Sequence, residues 1–71
     1  MTDIRRFTTI IIRRNGEYLV GRELHDGPLK WSLSRWDAYR TRDREKARRI
    51  ARKIGGTMVL FNPIVGQERI L

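Results

Sequence analysis

Thr41-Arg42-Asp43-Arg44-Glu45-Lys46-Ala47-Arg48-Arg49-Ile50-Ala51-Arg52-Lys53-Ile54-Gly55-Gly56 is the stretch on which the fold turns. Ala47, Ile50, Ala51 and Ile54 recur at i, i+3, i+4 and i+7, which lines up one face at 3.6 residues per turn. Arg48, Arg49, Arg52, Lys53 and Lys46 fall on the opposite arc. The spacing predicts one amphipathic helix. Thr41 is the expected N-cap, with Asp43 as the alternative, and the acids Asp43 and Glu45 suit the positive end of the helix dipole. Glu45 and Arg49 form an i, i+4 pair. Gly55-Gly56 ends the helix, one glycine taking the left-handed conformation past its last turn.

An apolar stripe this narrow needs a partner, and the flanking segments read as strands. Phe7 to Arg14 is rich in Ile and Thr, which suit a pleated surface. Glu17 to Leu24 is the matching run, and Asn15-Gly16 between them is a strong hairpin signal, because a type I′ turn needs positive φ at both positions. A two-residue turn pairs Arg14 with Glu17, Arg13 with Tyr18, Ile12 with Leu19, Ile11 with Val20 and Ile10 with Gly21. One face of the hairpin then carries Ile10, Ile12 and Leu19. The other carries Phe7, Ile11, Tyr18, Val20 and Leu24. The second face is larger and holds two aromatics, so it is the one expected to meet the helix.

His25-Asp26-Gly27-Pro28 is turn chemistry. Leu29, Trp31 and Leu33 then alternate with Lys30, Ser32 and Ser34, as in a half-buried third strand that completes an antiparallel meander. Arg35 to Arg40 is either a loop or a short helical turn, with Trp36 and Tyr39 expected to plug one end of the core. After the helix, Thr57 to Phe61 is a β-rich run stopped by Asn62-Pro63. A right-handed crossover follows if that strand lies parallel to the third. Residues 64–71 form either a short edge strand or a frayed tail. The expected fold is α+β: a single domain over residues 1–71, with a small, mainly antiparallel sheet in β-β-β-α-β order and one helix packed on one face. The other sheet face is expected to be open, to solvent or to a partner.

Seventy-one residues allow one domain with a modest core. The chain has no cysteine, which excludes disulfides and thiolate metal sites and fits a reducing compartment. The apolar run Thr8 to Ile12 is too short to span a bilayer. The arginines of Met1 to Arg6 are followed by no signal-peptide core, since the run breaks at Arg13-Arg14-Asn15-Gly16, so the cytoplasm is the expected location. His25 is the sole histidine, beside Asp26 in a turn, and has no ligand or base partner in the pattern. Asp26, Asp37, Asp43 and Glu45 form no paired-carboxylate motif, and Ser32 and Ser34 lack the context of an activated nucleophile. No catalytic residue, metal or cofactor is implied.

The charge is the informative property. The net charge is +8, and thirteen of the sixteen basic residues are arginine. Between Arg35 and Lys53, nine basic residues stand against three acids, so six of the eight net charges sit in nineteen residues. A localised basic patch attracts polyanions, although exposed helix faces are charged as a rule. Arg44, Arg48, Arg49, Arg52 and Lys53 are the expected phosphate contacts, with Arg40 and Arg42 assisting, because arginine's planar fork suits bidentate phosphate binding. Of six aromatic residues, Phe7, Trp31 and Phe61 are expected in the core. Trp36 and Tyr39, set between Arg35 and Arg40, are candidates for stacking on bases. The expected partner is nucleic acid, DNA or RNA, bound with weak sequence specificity. An acidic protein face is the alternative, and self-association through the sheet is a further version of it.

The run Asp37-Ala38-Tyr39, Ala47, Ala51, Gly55-Gly56 and Phe61-Asn62-Pro63 resembles small uncharacterised proteins of bacteria and their prophages. That group has no assigned activity, so the resemblance brings no functional residues. In shape, three strands followed by a helix resemble the arm-type DNA-binding domains of tyrosine recombinases, which place their sheet in the major groove. This chain departs from them by a further strand after the helix. Its second strand also offers Arg22 as its sole cation, which speaks against readout by the sheet.

Overall fold

The computed structural model describes residues 8–21 and 29–71. Strands β1 (Thr9–Arg14) and β2 (Glu17–Val20) form the expected hairpin. Asn15 at φ 53° and Gly16 at φ 78° supply the two left-handed positions that its tight turn requires. Strand β3 (Lys30–Ser32) lies outside β2, with Leu19 opposite Trp31. A 3₁₀ turn at Arg35–Asp37 leads to helix α1 (Arg44–Ile54). Strand β4 (Thr57–Asn62) then pairs with the far side of β1, and β5 (Gln67–Ile70) pairs with β4. The sheet order is β3-β2-β1-β4-β5, and every neighbouring pair is antiparallel. Among the described residues the fold is therefore α+β, with one small sheet and one α-helix.

Residues 64–71 contribute an edge strand. β5 is tied down by the Tyr18 hydroxyl, which donates to Glu68 at 2.8 Å, and by Arg35, 3.4 Å from the same carboxylate. β4 runs antiparallel to β1 and hence to β3, so the parallel crossover does not arise. The expectations for Phe7, Leu24 and the turn His25 to Pro28 fall outside the described residues.

The hairpin does not close along its full length. Its ladder holds two pairs, Arg13 with Tyr18 and Arg14 with Glu17. Beyond them the expected pairs of Ile12 with Leu19, Ile11 with Val20 and Ile10 with Gly21 give way to a third segment. Ile10 and Thr41 exchange backbone hydrogen bonds of 2.7 and 3.1 Å, and the Tyr39 amide donates to the Leu19 carbonyl at 2.8 Å. Residues 39–41 thus fill a fork between β1 and β2, satisfying backbone groups that a complete hairpin would have paired.

The fork is where the chain changes sides of the sheet. Ala38 packs with Ile11, Tyr18, Val59 and Phe61 on one face. Tyr39, the next residue, packs with Ile12, Leu19, Ile50 and Ala51 on the other. The helix consequently lies on the Ile12 and Leu19 face, not on the Ile11 and Tyr18 face that looked larger in the hairpin. Two elements beyond the hairpin decide this. Met58 of β4, with Trp31 of β3 and Leu29 just before it, extends the Ile12 face into a broad seat for α1. Val59 and Phe61 of β4 add to the Ile11 face, and the 3₁₀ segment covers it. That face is not open: Ile11, Val59 and Phe61 are at most 1% exposed. Trp36 and Tyr39 therefore stand on opposite faces and do not plug one end together. Leu33 lies past the end of β3 and is exposed rather than paired with Leu29 and Trp31.

Candidate nucleic-acid interface

The helix is fixed at both ends by groups that can be named. Asp43, not Thr41, is its N-cap: one Asp43 carboxylate oxygen accepts from the Lys46 amide at 3.1 Å. Thr41 acts one step earlier, its hydroxyl accepting from the Asp43 amide at 3.1 Å. At the other end Gly55 adopts the left-handed conformation at φ 70°, and the Gly55 and Gly56 amides both return to the Ala51 carbonyl. The Arg14 guanidinium donates to the Ile54 carbonyl at 2.8 Å and lies 4.3 Å from the Trp31 ring centre. A cation from β1 thus serves the negative end of the helix dipole and packs on the core.

Ala47, Ile50 and Ala51 are buried against the sheet, and Ile54 packs beside them. The outer arc is cationic along its length. Arg44, Lys46, Arg49, Arg52 and Lys53 are exposed, and Arg48 keeps 43% of its side chain exposed. Eleven helical residues carry these six cations over about 16 Å, at 1.5 Å of rise each. Glu45 is the one acid of the helix. It bonds Arg48 at 2.7 Å, an i, i+3 pair in place of the expected i, i+4 pair with Arg49. That pair is well exposed and weak, so an incoming phosphate can displace the carboxylate.

Of the seven residues expected from the sequence, the structure gathers Arg44, Arg48, Arg49, Arg52 and Lys53 on the helix, with Arg42 exposed just before the cap. Arg40 is not with them. It donates to the Trp36 carbonyl at 3.1 Å and lies 5.8 Å from the Phe61 ring centre, on the sheet face away from the helix. Lys46, on the expected arc but not among the expected phosphate contacts, joins the array. The signal for it is its i, i+3, i+7 spacing with Arg49 and Lys53.

The two stacking candidates are both committed elsewhere. Tyr39 is half-buried under the helix, with the Lys46 ammonium 5.8 Å from its ring centre. Trp36 is half exposed, but on the opposite sheet face. It meets Phe61 edge to face at 5.3 Å, with the Arg35 guanidinium 5.6 Å from its ring centre. Trp36 does not adjoin the outward arc of the helix, and Tyr39 meets it through Lys46 alone.

Among the described residues no helix is long and apolar enough to cross a membrane. Comparison with protein-family models, curated proteins and solved structures finds no match to this chain.

Proposed function

We propose that this is a non-enzymatic, cytoplasmic nucleic-acid-binding protein that holds phosphate backbones with one face of α1. The observation that carries this is the arc itself: six cations on one capped helix, opposed by a single acid. Phosphate binding needs several cations held in register, and a helix packed on a sheet keeps them so without ordering a flexible segment. Arg44, Arg48, Arg49, Arg52 and Lys53 make the contacts, with Lys46 and Arg42 beside them. Sequence preference is weak, because the contacts go to the backbone. The resemblance to prophage proteins is compatible with a phage-derived accessory role.

The test is fluorescence anisotropy with labelled duplex DNA, single-stranded DNA and RNA at low and physiological salt. The parent should bind with a Kd of about 1–100 µM at physiological salt, weakening steeply as salt rises. Arg49→Glu/Arg52→Glu should abolish binding while leaving the circular dichroism unchanged. Parent-like binding by the variant would overturn the proposal.

A second reading, a small protein-interaction module, draws on a separate observation. Leu33, Trp36, Ile64, Val65 and Ile70 are exposed apolar side chains that belong to segments other than the helix. That reading predicts tight, stoichiometric protein capture with shallow salt dependence and no effect of the helix charge reversals.

A further inference from the structure

The helix does not present its cations as one strip. Successive residues turn by about 100°, so Arg44, Arg48 and Arg52 form one row along the helix, and Lys46, Arg49 and Lys53 form a second, about 130° around it. The surface has the same division. A groove of about 470 Å³ on one flank is lined by Arg48 and Arg52 together with Ala51, Gly56, Met58 and Leu71. A depression of about 300 Å³ on the other flank is lined by Lys46, Arg49, Ile50 and Lys53. Glu45 falls between the rows, near the crest.

Two rows facing apart cannot both follow one backbone. They suit a ligand with two phosphate walls, one for each flank. Resting on the nucleic-acid reading above, we infer that the ligand is duplex DNA of B form, with α1 seated in the major groove. Arg44, Arg48 and Arg52 meet one strand, and Lys46, Arg49 and Lys53 meet the other. The dimensions agree: a helix with its side chains is about 10–12 Å across, and the B-form major groove is about 12 Å wide. The major groove of A-form duplex RNA is too deep and narrow to admit it. A single strand would engage one row. It would also seek an aromatic platform beside the cations, whereas Trp36 lies across the sheet and Tyr39 is packed against the core beneath the helix, its ring already met by Lys46. The acid near the crest bonds Arg48 of one row at 2.7 Å, an exposed pair that yields to the phosphate that row meets.

The rows can be removed separately. One variant is Arg44→Gln/Arg48→Gln/Arg52→Gln, the other Lys46→Gln/Arg49→Gln/Lys53→Gln. Both spare the buried positions Ala47, Ile50 and Ala51. Affinity for duplex DNA, single-stranded DNA of equal length and duplex RNA is measured across a salt series. Each triple should reduce the log–log salt slope on duplex DNA by roughly 2–3 units, at about 0.9 for each phosphate no longer neutralised. The parent should prefer duplex DNA to both other ligands. Should a triple lose its helical circular dichroism, Arg52→Gln and Lys53→Gln, one from each row, make the same comparison at about 0.9 unit apiece. Loss of slope from one row alone, or equal or tighter binding of single strand or duplex RNA, overturns the two-walled inference and leaves the nucleic-acid reading standing. Parent-like binding by both row variants overturns both.

Discussion

Gly56 packs where the end of the helix meets Ile12 of the sheet, and replacing it with alanine tests that packing directly. A Cβ at this position would lie 2.7 Å from Ile12 Cγ2, 3.4 Å from the Arg13 carbonyl oxygen and 3.5 Å from Ile54 Cγ1. Carbon atoms sit comfortably at about 3.5–4.0 Å, so the Ile12 methyl must retreat by about 0.8 Å. It has nowhere to go. Ile12 is 1% exposed, packs with Leu19, Ile50 and Ala51, and sits on a strand paired with β4 at this position. Overpacking of this kind costs about 1–3 kcal/mol. Alanine recovers about 0.4–1 kcal/mol by restricting the unfolded chain. The net loss is about 1–2 kcal/mol, a fall in Tm of roughly 4–16 °C for a domain of this size.

The assay is thermal unfolding followed by circular dichroism, with a double-mutant cycle through Ile12→Leu. Leucine keeps the volume but removes Cγ2, the atom in the way. Gly56→Ala should therefore cost about 1 kcal/mol less in the Ile12→Leu background than in the parent. Gly55→Ala is the control: nothing lies within 4 Å of its Cβ, and its cost of about 1–2 kcal/mol comes from the left-handed backbone alone. That cost should be the same in both backgrounds. An unchanged Tm for Gly56→Ala, or equal costs of Gly56→Ala with and without Ile12→Leu, would refute the packing argument.

Two further expectations concern the sheet face opposite the helix. Burial, and then the hydrogen bond its hydroxyl donates to Glu68, hold the Tyr18 phenol above its ordinary value of 10.0, with Arg13 opposing them less strongly. The native state therefore keeps this proton longer than the unfolded chain does. The stabilisation is complete below pH 10 and is lost as pH rises past it toward the native value; Tyr18→Phe should flatten that alkaline decline in Tm. Trp36→Ala should cost at least the roughly 0.5–1.5 kcal/mol of an edge-to-face ring pair with Phe61. It should leave the affinity for duplex DNA unchanged, and a drop in affinity would place the binding surface on the wrong side of the sheet.

The features legible in the sequence are those decided locally. The i, i+3, i+4 spacing of Ala47, Ile50, Ala51 and Ile54 fixed the helix and its buried side, and Asn15-Gly16 fixed the hairpin turn. The fork at Tyr39 to Thr41 depends on backbone groups of Ile10 and Leu19, about twenty to thirty residues away, and no residue in the segment advertises it. From the fork follow the other differences. The side of the hairpin that meets the helix depended on what β4 added to each face, and two hairpin strands alone made the wrong face look larger. Arg40 looked like part of the basic run, but extended backbone turns neighbours to opposite sides. With Tyr39 under the helix, Arg40 is delivered to Phe61 instead.

That division bears on how much of a +8 charge is a binding surface. On the sheet face away from the helix, cations are engaged by groups of the fold itself: Arg35 with Glu68 and the rings of Trp36 and Phe61, and the exposed Arg40 with the Trp36 carbonyl. Arg14 is engaged in the same way at the end of the helix. On the outer arc of α1 the one acid is Glu45, and it serves one arginine. Counting charge along the chain therefore overstates one region and understates another. Arg35 and Arg40 raised the apparent density ahead of the helix while lying on the far sheet face, and Lys46 sits in a row with Arg49 and Lys53. A neutralisation series across the whole chain should divide along this line. Substitutions at Arg14, Arg35 and Arg40 should move Tm more than the salt slope of binding. Those at Arg49, Arg52 and Lys53 should move the slope and leave Tm nearly fixed, because an exposed charge contributes little to folding but directly to counterion release.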